Sequence, residues 1–244
     1  MSRCLTRMIN RLSTRTVLCV ALGLTSAVRP QSGRPGDPAE AVLRDLYNDS
    51  GWVRVDSLKT GQEIFNKSLH SSPVPAIMVT QESAIGVQVV VETIEDVGRY
   101  TDFIHDAYLE RSDLLARLPD GLDAYQLLAL PFMANRHYIY RMGKTMDRDA
   151  GIIRFEWFLL PRDSRYASFL DSMDVLYDRP IYPRAMAGSW EIVPVSPSKM
   201  RLTYRLYADP AGWVPYFLVA RANRIIAPAM VREMVAEAAR REGP

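Results

Sequence analysis

The sequence predicts an α+β fold in which a run of antiparallel strands is followed by one long helix. Three observations predict it. Strand-like runs follow one another from Ala107 to Tyr207, separated by turn signals at Pro119-Asp120-Gly121, Asp147–Gly151 and Pro194–Ser198, and not by the regular helices a doubly wound sheet requires. The last stretch, Tyr216 to Arg241, carries Tyr216, Val219, Asn223, Ile226, Met230 and Met234 at steps of three or four, the spacing of one helix face. The 244 residues are 48% hydrophobic and 24% charged, which is ordinary globular composition and enough for one large domain.

Taken in order, the chain opens on an Arg-rich segment with neither Asp nor Glu before Asp37. Arg3, Arg7, Arg11 and Arg15 precede the short apolar run Thr16–Val28, which ends in small residues. Charged region, apolar block and small-residue end form the pattern of a secretory signal, with cleavage after Ala27, and the protein is expected in a periplasm or outside the cell. A mitochondrial transit peptide is the competing reading, and an uncleaved anchor a third; the compact apolar block favours secretion. Both cysteines, Cys4 and Cys19, lie in this segment, so residues 28 onward offer no disulfide, thiol nucleophile or Cys metal site. Residues 28–37 read as a Gly/Pro/Ser linker, and 38–241 as a single domain.

Within that domain Ala39–Asn48 reads as a short helix with Val42, Leu43, Leu46 and Tyr47 on one face. Trp52, Val53 and Val55 start an extended segment, and Gln62–Ser68 and Pro75–Gln81 read as strands. Val91–Ile104 reads as a helix, and the β-branched run Val87–Val91 fits strand or helix. Strands follow at Ala107–Leu118, Leu122–Leu130, His137–Met146 and Ile152–Leu160. Tyr166–Leu176 reads as a short helix or loop, and Ala185–Val195 pairs with Lys199–Tyr207. Asp209-Pro210-Ala211-Gly212 makes a sharp turn into the last helix. Pro215 sits near its first turn, and Pro228 inside it is expected to kink it. Phe217, Leu218 and Ile225 lie off the apolar stripe, so the first half needs cover on more than one side, while Arg232, Glu233, Glu237, Arg240 and Arg241 make the far end solvated.

Four stretches resemble the START domain, the steroidogenic-acute-regulatory-related lipid-transfer family. Gly51-Trp52-Val53 with Gly61–Phe65 resembles its opening segment, Val91–Phe103 its first long helix, and Pro131–Arg141 its "PwPvsdRDfvyrr" strand, with Arg136-His137 in place of Arg-Asp. Trp190–Pro194, Leu202–Leu206 and Asp209–Pro215 resemble "G.w.i.P … vty.l..DpgGwiP", and the similarity runs over residues 38 to 241. The resemblance implies the helix-grip fold, a curved antiparallel sheet of about nine strands gripping the C-terminal helix around a hydrophobic cavity. It implies one bound lipid (sterol, phospholipid or related), no chemistry and no cofactor, transient contact with a membrane, and a monomer.

No GxSxG, HExxH, Walker loop or GxGxxG is present, and His70, His105 and His137 lie too far apart to suggest a metal site. The formal net charge of +2 and the absence of a basic run with aromatics leave no nucleic-acid footprint. Tyr125, Tyr138, Tyr140, Trp157, Phe158, Trp190 and Tyr204 are candidates for the cavity wall, with Ile226 and Met230 on the helix stripe. Arg141 is a candidate polar anchor; any inward Arg among 136, 141, 154, 201 and 205 needs Glu156, Glu191 or Asp123 as partner. Asn223, an amide in an apolar stripe, must find either a ligand oxygen or a backbone group. The rival function is a polyketide cyclase/aromatase-like enzyme of the same superfamily, using cavity Arg, Tyr or His as acid–base groups; an export signal weighs against it, because carrier-bound polyketides are cytosolic.

Overall fold

The computed structural model describes residues 38–243 apart from 49, 70, 71, 73, 132, 197 and 198, so the expected export segment, the linker and His70 lie outside the described residues. The elements are α1 (Pro38–Tyr47), β1 (Val53–Ser57), β2 (Glu63–Lys67), β3 (Ala76–Ser83), α2 (Val87–Glu95), a 3-10 turn (Val97–Asp102), β4 (Leu109–Leu118), β5 (Gly121–Leu128), β6 (Arg136–Asp147), β7 (Ile152–Leu159), α3 (Ala167–Leu176), β8 (Ala185–Ser196), β9 (Lys199–Asp209) and α4 (Tyr216–Glu242). One nine-stranded antiparallel sheet runs in the order β1-β2-β3-β9-β8-β7-β6-β5-β4. The chain therefore enters the sheet at one edge, crosses by α2 to the other, and fills the middle last.

One helix differs from the sequence expectation. α2 starts at Val87, not Val91, and stops at Glu95, with a 3-10 turn taking up the remainder. Val87–Val91 is helical despite its β-branched side chains because packing outweighs their weak propensity: Val90, Val91 and Ile94 are fully buried against α4 and the sheet.

Alternation of side chains across the pleat gives the sheet two unlike faces. Its inner face, covered by α2 and α4, is apolar and aromatic and holds the larger core, including Val79, Phe155, Trp157, Trp190, Leu202 and Met234. Its outer face carries a second core, Tyr125, Leu127, Ile139, Phe158 and Tyr207, covered by Leu43 and Leu46 of α1 and Leu170 and Met173 of α3. Apart from Arg136, the buried charges of the central strands lie on this outer side. Glu191 binds Arg154 at 2.5 Å and Arg205 at 3.1 Å. Burial pushes the Glu191 carboxyl up, but the two guanidiniums outweigh it and hold it below the usual range. His137 is fully buried, with Nδ1 3.4 Å from the Tyr125 hydroxyl and Nε2 3.3 Å from Asp174, which in turn accepts a 2.5 Å bond from Arg162.

Two backbone features shape the inner side. Gly188 lies opposite Trp157 in the β7–β8 register. A Cβ there would sit 2.3 Å from the Trp157 ring and 2.4 Å from the Arg205 carbonyl, so the missing side chain is what lets the indole lie against the sheet. Ahead of α4, Ala211 (φ 55°) and Gly212 (φ 74°) take left-handed conformations. The Ala211 N–H donates to Asp209 Oδ1 at 3.0 Å, and Arg136 donates to the carbonyls of Pro210 and Ala211, both at 3.3 Å. The first residue of β6 thus fixes the foot of the last helix.

Gly188→Ala is expected to destabilise the fold by about 3 kcal/mol, which lowers Tm by about 6–12 °C for a domain of this size; an unchanged melting curve contradicts the close approach. Burial holds the His137 imidazole below its ordinary pKa of 6.5 against the opposing pull of Asp174. The unfolded chain therefore takes up this proton at a higher pH than the folded one, and acidification below pH 6.5 favours unfolding. Urea denaturation across pH 7 to 5 should show this loss, with a shallower slope in His137→Gln.

Candidate functional site

The inner face and α4 frame a chamber of about 90 Å³, partly open to the surface. Its wall comes from β5 (Gln126, Leu128), β6 (Tyr138, Tyr140, Met142), β7 (Trp157), β8 (Met186, Trp190) and β9 (Tyr204, Leu206, Ala208), with Tyr100 from the 3-10 turn and Asn223, Ile226 and Met230 from α4 as the roof. These residues meet because cross-strand partners share a face: Gln126 pairs with Tyr138, Trp190 with Tyr204, and Met142 with Trp157. The rings contact one another, Trp190 and Tyr204 at 4.3 Å and Tyr140 and Trp157 at 5.8 Å between centroids. No charged side chain lines the chamber among the described residues.

Its polar groups form a short relay. Tyr138 donates to Gln126 Oε1 at 2.7 Å, Gln126 Nε2 lies 3.4 Å from both Ser112 Oγ and the Tyr140 hydroxyl, and Ser112 donates to the Val97 carbonyl at 2.6 Å. Tyr100 donates to the Ile94 carbonyl at 2.6 Å. Burial raises Tyr138 and Tyr140 well above the ordinary phenol value and raises Tyr100 and Tyr204 as well, so all four stay protonated near neutrality. The exception to this satisfaction is Asn223, buried on α4, whose Nδ2 has no hydrogen-bond partner.

Of the residues singled out from the sequence, Tyr138, Tyr140, Trp157, Trp190, Tyr204, Asn223, Ile226 and Met230 line the chamber together. Tyr125, Phe158 and Arg141 do not; Phe158 follows Trp157 in β7 and packs in the outer-face core. Tyr125 pairs with Ile139 and lies on the outer face against Phe169 of α3. Arg141 pairs with Asp123 on the same outer face and binds it through two bonds of 2.8 and 3.0 Å. Burial pushes Asp123 up, but Arg141, Tyr166 and Arg165 overcome it and hold the carboxyl below its usual range. The period of two makes Arg141 and Tyr138 mutually exclusive on one face, and a buried charge goes where its partner is. Gln126, Tyr100, Met142 and Met186 line the chamber without having stood out in the sequence. Gln126 was within reach, since it follows Tyr125 in β5 and therefore takes the opposite face.

The roof helix is held unevenly. Its far half is not simply solvated: Glu233 accepts the N–H groups of His105 and Asp106, Arg232 binds Asp106 at 2.5 Å, Arg241 binds Asp96 at 2.8 Å, and Glu242 accepts the Gly86 N–H at 2.6 Å. Glu237 is buried between Arg240 and Arg241, whose hydrogen bonds draw its carboxyl down to about 2. Residues 216–231 make no salt bridge among the described residues. Trp213 is 94% exposed and Phe217 70%, with Tyr216, Leu218 and Ile225 also open to solvent. The cover the sequence calls for on these side chains is missing. Beside them an open groove of about 750 Å³, reaching from Val42 to Tyr216, shares Met186 with the chamber.

No group of three His, Cys, Asp or Glu side chains is placed to hold a metal ion, and no helix is long and apolar enough to cross a membrane, both among the described residues. The sequence matches no known family and no curated protein. The fold does match solved structures. A STAR-related lipid transfer protein from Xanthomonas axonopodis superposes with a TM-score of 0.63 at 16% identity, over 77% of this chain and 98% of that one. Human STARD10 gives 0.64 at 13%, over 85% and 80%, and human StAR-related lipid transfer protein 5 gives 0.64 at 12%, over 83% and 93%. The chain has the START-like helix-grip fold: a curved nine-stranded antiparallel sheet closed by its C-terminal helix.

Proposed function

We propose that the protein binds one hydrophobic, lipid-like guest in the chamber under α4 and carries it without chemical change. The observation that carries this reading is an aromatic-lined chamber whose roof helix is tied by ion pairs in its far half, makes no salt bridge in residues 216–231 among the described residues, and is apolar on its solvent side there. The likeness in fold to proteins described as lipid transfer proteins supports it. A space of about 90 Å³ holds only a few waters, so this is a closed state, and a lipid enters when the near half of α4 lifts. The phenols that line the chamber are held protonated by burial, Tyr138 and Tyr140 bonding to Gln126 and Tyr100 to backbone, an arrangement suited to a wall and ill suited to acid–base chemistry at neutral pH.

The exposed side chains at the foot of α4 are the surface that meets a membrane. Trp213, Phe217 and Leu218 supply apolar area, and Arg221 and Arg224 lie exposed in the same half-helix, which contains no Asp or Glu. We further propose that the chain is exported and cut after Ala27; amino-terminal sequencing of the secreted protein checks this, and an intact cytosolic chain contradicts it.

Mass spectrometry of the purified protein after incubation with a lipid extract should show one lipid per chain, and its absence sinks the carrier reading. Ile226→Trp fills the roof of the chamber and should abolish uptake while leaving the circular dichroism spectrum unchanged. Trp213→Ser with Phe217→Ser removes two large apolar contacts, and should weaken vesicle co-sedimentation by at least about tenfold without emptying a preloaded chamber.

A further inference from the structure

Asn223 is buried, lines the chamber and has an amide nitrogen with no partner. Such a donor costs stability unless something accepts from it. The other polar groups of the wall are largely spoken for. Tyr138, Gln126, Tyr140 and Ser112 bond to one another, and Tyr100 bonds to backbone. The wall carries no ionic group, and among its described residues Asn223 Nδ2 is the buried polar atom left without a partner.

Charge is excluded more strictly than polarity. Apart from Arg136, which the carbonyls of Ala134, Pro210 and Ala211 hold at the foot of α4, the buried carboxylates and guanidiniums of the central strands point to the outer face, where they are already paired: Asp123 with Arg141, and Glu191 with Arg154 and Arg205. The two arginines of the outside groove are likewise committed, Arg162 to Asp171 and Asp174, and Arg184 to Asp209. A phosphate or a quaternary ammonium brought into the chamber would find no counter-charge, and a buried ion without one is costly.

From this geometry we infer that the chamber selects an uncharged lipid bearing a hydroxyl or keto oxygen, which accepts a hydrogen bond from Asn223 Nδ2, and rejects lipids with an ionic headgroup. This rests on the carrier reading and narrows it. Asn223 is then the residue that sets specificity, and the aromatic wall supplies affinity without regard to headgroup.

Competition against the fluorescent sterol dehydroergosterol tests it with four probes: cholesterol, its ketone cholestenone, the parent hydrocarbon cholestane, and dioleoylphosphatidylcholine. Cholesterol and cholestenone should compete best, cholestane about fivefold more weakly for loss of one neutral hydrogen bond, and the phospholipid at least tenfold more weakly than cholesterol. In Asn223→Leu the two oxygenated probes should weaken about fivefold while cholestane holds or improves. The probe series on the unaltered protein stands even where that variant does not fold. Phosphatidylcholine competing as well as cholesterol, or cholestane competing equally, overturns the selectivity and leaves the carrier reading intact. A charged lipid that co-purifies while no probe binds also overturns the selectivity alone. No bound probe and no co-purified lipid overturns both.

Discussion

A β-strand cannot put two neighbouring side chains on the same face, and this constraint organises the molecule. Every central strand alternates between the chamber and the outer surface, so the chamber-lining tyrosines and tryptophans at one parity leave most of the aspartate, glutamate and arginine at the other. The cost of an unpaired buried ion then decides which parity faces which way. The charged parity lies on the outer side, where Asp123 and Glu191 each meet two arginines and where α1 and α3 complete the cover. The aromatic parity is left to line a space that water has little reason to fill. The uncharged character of the chamber and the ion network behind it are two results of one rule.

The second constraint is the uneven hold on α4. Ion pairs and carboxylate-capped N–H groups tie its last turns to α2 and the 3-10 turn, whereas the first turns are fixed at their foot, by Arg136 through the Pro210 and Ala211 carbonyls. The near half spans the chamber, the groove and the exposed Trp213 and Phe217 together. The chamber, the groove and an apolar surface thus meet in the half of the helix that makes no salt bridge among the described residues.

Much of this was legible in the sequence. Period-two runs and their turns place the strands to within a few residues, and the three-and-four stripe from Val219 to Met234 identifies the buried face of α4. What the sequence hid was parity in space. Tyr138 and Arg141 look equally eligible as letters, and only the Asp123 partner, brought across by the β5–β6 register, shows that Arg141 belongs outside. The start of α2 was hidden too, because Val87–Val91 has no local preference strong enough to reveal that α4 would bury it. The exposure of Phe217 and Ile225 was equally hidden, since an apolar side chain on a helix reads as core until the packed neighbours are known to be elsewhere. Tyr216 belongs with them: it falls on the stripe and is nonetheless open to solvent.

Pro228 stands inside α4, buried, just before the restrained half begins at Arg232. Having no N–H, it leaves the preceding turn of the helix one rung short, while its own carbonyl accepts from Gln62 of the segment before β2 at 3.0 Å. Bending stiffness is therefore lowest along a line that is itself stapled to the sheet. A helix creased there can bend at one end while the other stays tied, so a movement of the near half need not loosen the hydrophobic interior that keeps the molecule folded.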